Sequence, residues 1–91
     1  MNDLIEELIA MYGEEAETMM LVDGMDRAFV GVAIHFGEKI RAVYEIDKII
    51  EILQEQGMSN DDAEEYFDYY IAGSYVGYQT PIFMHAMSVN K

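Results

Sequence analysis

Residues 28–44 constrain the fold most. From Ala28 to Phe36 the chain alternates, with Val30, Val32, Ile34 and Phe36 on one side and Phe29, Gly31, Ala33 and His35 on the other. That is the period-two pattern of a strand. Gly37 interrupts it and Lys39 to Tyr44 resumes as a second strand, so the spacing predicts a β-hairpin. A two-residue loop at Gly37-Glu38 would set Ile34 against Arg41 and place charges among the valines. A three-residue loop, Gly37-Glu38-Lys39, sets Phe36 against Ile40, Ile34 against Ala42 and Val32 against Tyr44. A one-residue slip turns every side chain to the other face, so the three-residue loop is expected.

Helical periodicity flanks the hairpin. Leu4, Ile5, Leu8, Ile9 and Tyr12 form an i, i+3, i+4, i+7 stripe, predicting a helix from Asp3 to Tyr12. Asn2 or Asp3 would cap it, Glu6 completing a box-like start, and Gly13 would stop it. Residues 14–25 fit no single template and read mostly as loop, with room for a short turn. Ile46, Ile49, Ile50 and Leu53 give a second stripe ended by Gly57; Ser59 is a natural N-cap for a third helix running to about Gly73. Pro81 opens a last strand to Met87, with Ile82, Met84 and Ala86 alternating against Phe83, His85 and Met87. The expected order is α-β-β-α-α-β. This is a single α+β domain over residues 1–91, with a small, mainly antiparallel sheet of about three strands packed by helices.

A chain of 91 residues without cysteine has neither disulfides nor thiolate metal sites to support a small core, and its 52% apolar content answers that need. The longest uncharged stretch, 73–90, holds Gly77, Gln79, Pro81 and His85 and is no membrane span. Asp3, Glu6 and Glu7 stand where a signal peptide would be basic, so a cytoplasmic location is expected.

The net charge of −13 is unevenly distributed. Residues 1–26 hold eight acids and no base. Four of the five bases (Arg27, Lys39, Arg41, Lys48) fall within 27–50, and seven acids without a base lie between Glu51 and Asp68. This balance disfavours direct binding to nucleic acid or anionic membranes and favours a basic partner, or serves solubility alone. On the third helix Asp61, Glu64, Glu65 and Asp68 fall at i, i+3, i+4 and i+7 and form one acidic face. Ala63, Phe67, Tyr70 and Ile71 make the face expected in the core, with Tyr66 and Tyr69 at the borders. Asp62, and Glu51 and Glu55 of the second helix, extend the acidic surface without interleaved lysines. Such a face either is ordinary solvated helix or binds an Arg- and Lys-rich surface as a phosphate mimic. The residues expected at a partner surface are Asp61, Asp62, Glu64, Glu65, Asp68, Tyr66, Tyr69, Glu51 and Glu55.

Other chemistry finds little footing. Asp61, Asp62 and Glu65 lack EF-hand spacing and its turn glycine. His35 and His85, if they faced each other across the sheet beside a carboxylate, would suit zinc, though single strand histidines are more commonly structural. Ser59, Ser74 and Ser88 lie outside any nucleophile context, and phosphate-loop and dinucleotide fingerprints are absent. No enzyme, cofactor or metal is expected. Two alternatives stay open. One is self-association through the uncharged 73–90 block as a homodimer; the other is a small-ligand or nucleotide pocket on the sheet using Arg27, Lys39, Arg41 and Lys48.

Seven short segments carry a resemblance. Val30-Gly31-Val32-Ala33 precedes Phe36-Gly37; Ile49-x-Glu51-Ile52-Leu53 precedes Gly57-Met58-Ser59 and Asp62-Ala63-Glu64-Glu65-Tyr66-Phe67; and Ala72-Gly73-x-Tyr75-Val76-Gly77 precedes Thr80-Pro81-Ile82-Phe83. Together they resemble small uncharacterised acidic proteins of tailed bacteriophages and prophages, over about the last two thirds of the chain. The resemblance implies context: such proteins often bind and block a host protein, restriction and CRISPR effectors included. It carries no activity and no functional residues.

Overall fold

The computed structural model describes residues 3–87. Helix α1 spans Asp3–Tyr12, and Gly13 ends it in the left-handed region at φ 65°. The side chains of Asn2 and Asp3, where the cap is expected, lie outside the described residues. A single turn of helix, α2 (Glu14–Glu17), follows.

From there to the sheet the chain runs as a ladder of three-residue turns. Ala16, Met19, Val22, Met25 and Ala28 are all buried, one every third residue. The backbone repeats that spacing: the Met19 amide donates to Ala16 O, Met25 to Val22 O and Ala28 to Met25 O, the last closing a 3₁₀ turn over Asp26–Ala28. A three-residue period keeps one apolar stripe turned inward without a continuous helix. The remaining rung differs, because the Val22 amide donates instead to the Tyr44 hydroxyl at 2.9 Å.

Strands β1 (Phe29–Ala33), β2 (Arg41–Glu45) and β3 (Ile82–Met84) form one sheet in the order β1-β2-β3. β1 pairs antiparallel with β2, and β3 joins β2 in parallel, so the sheet is mixed. The α+β architecture and the order of the main helices and strands are those the sequence predicts. The sheet, however, is not mainly antiparallel, because β3 docks in parallel on β2, and α2 stands where mostly loop is expected. The hairpin register differs too. Val32 faces Ala42 and Ala33 faces Arg41, two residues away from the expected pairing, and the connection covers residues 34–40. The reason is that Ile40 is held elsewhere: its amide donates to Glu15 Oε1 at 2.8 Å, and its carbonyl accepts from Gln79 Nε2 at 3.0 Å. A turn closes earlier instead, the Glu38 amide donating to His35 O with Gly37 at φ 83°, and this leaves Phe36 at the tip, 99% exposed.

A bulge at Val30 corrects the expected faces as well. It lies between the Phe29–Tyr44 and Gly31–Val43 pairs, turning Phe29 to the inner face and Val30 outward. Phe29, Tyr44 and Phe83 therefore stand opposite one another across three strands. Tyr44 meets Phe29 edge-on at 5.6 Å and Phe83 at 6.3 Å, and Phe83 meets Phe67 edge-on at 5.1 Å.

Helix α3 (Ile46–Glu55) starts directly from β2 and covers the inner face with Ile49, Ile50, Ile52 and Leu53. Its end is a Schellman motif: the Met58 amide donates to Leu53 O and the Gly57 amide to Gln54 O, with Gly57 at φ 107°. Helix α4 (Asn60–Tyr66) opens on Ser59, whose Oγ accepts from the Asp62 amide at 3.1 Å, as its spacing predicts. The same helix then widens into a π-helical segment, Phe67–Ala72. No helix among the described residues is long and apolar enough to cross a membrane.

Tyr44 is wholly buried, and that burial, partly offset by the bond from Val22, raises the pKa of its phenol above the usual tyrosine range. The folded state therefore holds the proton more tightly than the unfolded chain. Stability from this group is complete below the unfolded pKa of about 10 and is lost as pH rises above it. Tyr44→Phe removes the hydroxyl and leaves the Val22 amide unpaired, so it should cost about 1–3 kcal/mol at neutral pH. The variant should also lose less stability than the parent above pH ~10, with urea unfolding at both pH values as the measurement.

Candidate partner-binding surface

α4 buries Ala63, Phe67 and Ile71, at i, i+4 and i+8, and leaves Asp61, Asp62, Glu64, Glu65 and Asp68 in solvent. Asp61 and Asp62 sit in the first turn, where the exposed amides favour negative charge. The π-helical widening explains one departure from expectation. At ordinary α-helical spacing Tyr70 would join the core, but the wider turn selects Ile71, and Tyr70 emerges 66% exposed. Its ring lies 4.9 Å from that of Tyr66, tilted by 39°.

The acidic face consequently divides between two hollows. Asp62 and Glu65, with Met58, Tyr66, Tyr69 and Tyr70, line one of about 490 Å³. Glu64 and Asp68 turn toward another of about 320 Å³, shared with Ile46, Asp47, Ile50, Phe67 and His85. Asp61 is exposed and lines neither. The first hollow combines two carboxylates with three phenol rings. That combination suits a cationic side chain, which gains from the carboxylate charge and from the ring faces together. Met58 and Tyr70 complete it and escaped the sequence reading: Met58 follows a helix stop, and Tyr70 depends on a π-turn that leaves no mark on spacing.

The residues expected to extend this surface from α3 are engaged within the chain. Arg27 makes a two-pronged pair with Glu55, Nη1 to Oε1 at 2.9 Å and Nη2 to Oε2 at 2.8 Å, and Lys48 Nζ lies 3.7 Å from Glu51. Glu51 and Glu55 thus have bases beside them, correcting the picture of one continuous base-free surface. The hydrogen bond from Arg27 holds the Glu55 carboxyl below the usual carboxylate range, and the same contact raises the Arg27 guanidinium.

The two histidines lie apart. His35 pairs with Glu38 at 3.3 Å beside the start of β2, and His85 with Asp47 at 3.5 Å beside its end. The length of β2, on the order of 13 Å, separates these places. Among the described residues no group of three His, Asp or Glu side chains is placed to hold a metal ion.

Removing the guanidinium in Arg27→Met should return the Glu55 titration midpoint upward toward the ordinary carboxylate range, as followed by carboxyl-detected NMR across acid pH. No protein-family model, curated protein or solved structure matches this chain.

Proposed function

We propose that the chain is a non-enzymatic accessory protein, of the kind made by tailed phages and prophages, that acts in the host cytoplasm. It binds and inhibits a basic host protein, such as a nucleic-acid-binding defence factor, and presents carboxylates where that partner takes phosphate. One observation carries the reading: Asp62 and Glu65 share a hollow of about 490 Å³ with Tyr66, Tyr69, Tyr70 and Met58. A solvated helix face needs no such aromatic setting, and tyrosine rings gathered beside acids that have no ion-pair partner among the described residues form the kind of patch a partner covers. An arginine of the partner is the natural anchor, since its guanidinium binds carboxylate and ring face at once. Glu64, Asp68 and Asp61 add long-range attraction around that anchor and speed encounter.

The test begins with capture from host lysate at low and high salt, identified by mass spectrometry, and proceeds to affinity measurement with the purified partner. Binding should weaken steeply with salt. Glu65→Lys and Tyr69→Ala, both at exposed positions, should each weaken it by about tenfold or more while leaving the thermal midpoint unchanged. Full affinity in both variants would reject the reading.

A second reading is favoured by the exposure of Val76, Tyr78 and Met87 in the uncharged block; residues 88–90 of that block lie outside the described residues. It has two copies associating through this surface as a homodimer, with the acidity serving only solubility. Sedimentation velocity should then record a dimer insensitive to salt, and a monomer at all concentrations would exclude it.

A further inference from the structure

Among the described residues the cations are largely occupied by neighbouring acids, with one exception. Arg27 is taken by Glu55 and Lys48 lies beside Glu51, whereas Lys39 has no ion-pair partner among the described residues. Two positions along, Arg41 is only loosely held, its Nη2 3.7 Å from Glu38, and its Nε is buried with no hydrogen-bond partner. An unpaired donor of this kind is costly and calls for an acceptor. Lys39 and Arg41 line a hollow of about 460 Å³ with Gly37, Glu38 and Tyr78, a residue that is 87% exposed. A smaller hollow of about 180 Å³ shares Glu38, Lys39 and Arg41 and adds His35, Ala33 and Ile82.

The elements that build this place are fixed. Arg41 opens β2, Gly37 makes the turn that carries Lys39, and Tyr78 precedes Gln79, which is tied to Glu15 and Ile40. We propose that the Lys39–Arg41–Tyr78 hollow is a binding site for a small free anion bearing a planar ring, of the nucleoside monophosphate class. Lys39 and the Arg41 fork receive the phosphate, and the Tyr78 ring stacks on the base. The hollow falls within the 300–1,000 Å³ range typical of small-ligand sites. Glu38 opposes the anion and is the group it displaces from Arg41. The net charge of −13 argues for a compact ligand and against a polynucleotide, since repulsion grows with every added phosphate. The site uses none of the residues assigned to binding a basic host protein and stands independently of that function; only the homodimer reading shares Tyr78 with it.

The test is a titration of isotope-labelled protein, followed by amide NMR. The probes are adenosine monophosphate, adenosine, inorganic phosphate and a short single-stranded oligonucleotide. The monophosphate should shift the amides of residues 37–41 and Tyr78 saturably, and bind about tenfold more tightly than adenosine or phosphate alone. Lys39→Ala and Tyr78→Ala, both exposed, should each weaken it several-fold with the rest of the spectrum unchanged. The inference is overturned if the monophosphate leaves these amides unmoved, if phosphate alone binds as well, or if both variants keep full affinity. Tighter binding of the oligonucleotide than of the monophosphate would also overturn it, by assigning the site to nucleic acid.

Discussion

The hydrogen bond from the Val22 amide to the Tyr44 hydroxyl joins the two halves of this small core. Around Tyr44 the ring contacts run across the sheet, Phe29 on one side and Phe83 on the other, with Phe67 of the π-helical segment closing the row. The hydroxyl meanwhile fills the one rung that the turn ladder of residues 16–28 leaves open. A segment with little regular secondary structure is thereby fixed to the middle strand by a buried, directional contact. Such a contact matters more in a domain of 91 residues than in a larger one, because the apolar area available to hold a loop is small.

Gln79 performs the matching task at the other end of β2. It is 4% exposed, and its amide donates to Glu15 O and Ile40 O and accepts from Thr18 Oγ1, while its own carbonyl takes the Met20 amide. One side chain thus binds the end of α2, the approach to β2 and the approach to β3. Satisfying every donor and acceptor is what makes a buried amide tolerable, and it also fixes where the strands begin. With Ile40 committed to Glu15 and Gln79, β2 cannot start before Arg41. The hairpin loop must then be long, and Phe36 projects from it.

These two polar contacts explain why some of the molecule was legible in the sequence and some was not. Asp3–Tyr12, Ile46–Glu55 and the Ser59 cap follow from local spacing, and local spacing decides them. The hairpin register depends on Glu15 and Gln79, which are remote in sequence, so alternation alone misplaces it by two residues, and alternation leaves no place for the bulge at Val30. The ladder is a different case. Ala16, Met19, Val22, Met25 and Ala28 recur every third residue in plain view, but neither the helical nor the strand template has that period. At the candidate surface, the exposure of Asp61, Asp62, Glu64, Glu65 and Asp68 was readable from the helix stripe. The gathering of Asp62 and Glu65 with three tyrosines was not, because the π-turn decides it.

The acids of α4 are also unequal in what local physics explains. Asp61 and Asp62 lie where the helix start welcomes negative charge, and Ser59 caps the same turn. Glu65 and Asp68 have no such benefit. They stand at i+4 from Asp61 and Glu64, like-charge spacings that destabilise a helix by about 0.2–0.5 kcal/mol each. The chain does place bases beside acids on the neighbouring helix, where Arg27 meets Glu55 and Lys48 meets Glu51, so pairing was available to this fold. Among the described residues no base pairs with Glu65 or Asp68, so helix stability there does not account for them. A local conflict without local compensation is characteristic of positions serving something outside the chain. Of the two, Glu65 has tyrosine rings about it in which a cation would be held, and there the case for a partner is strongest.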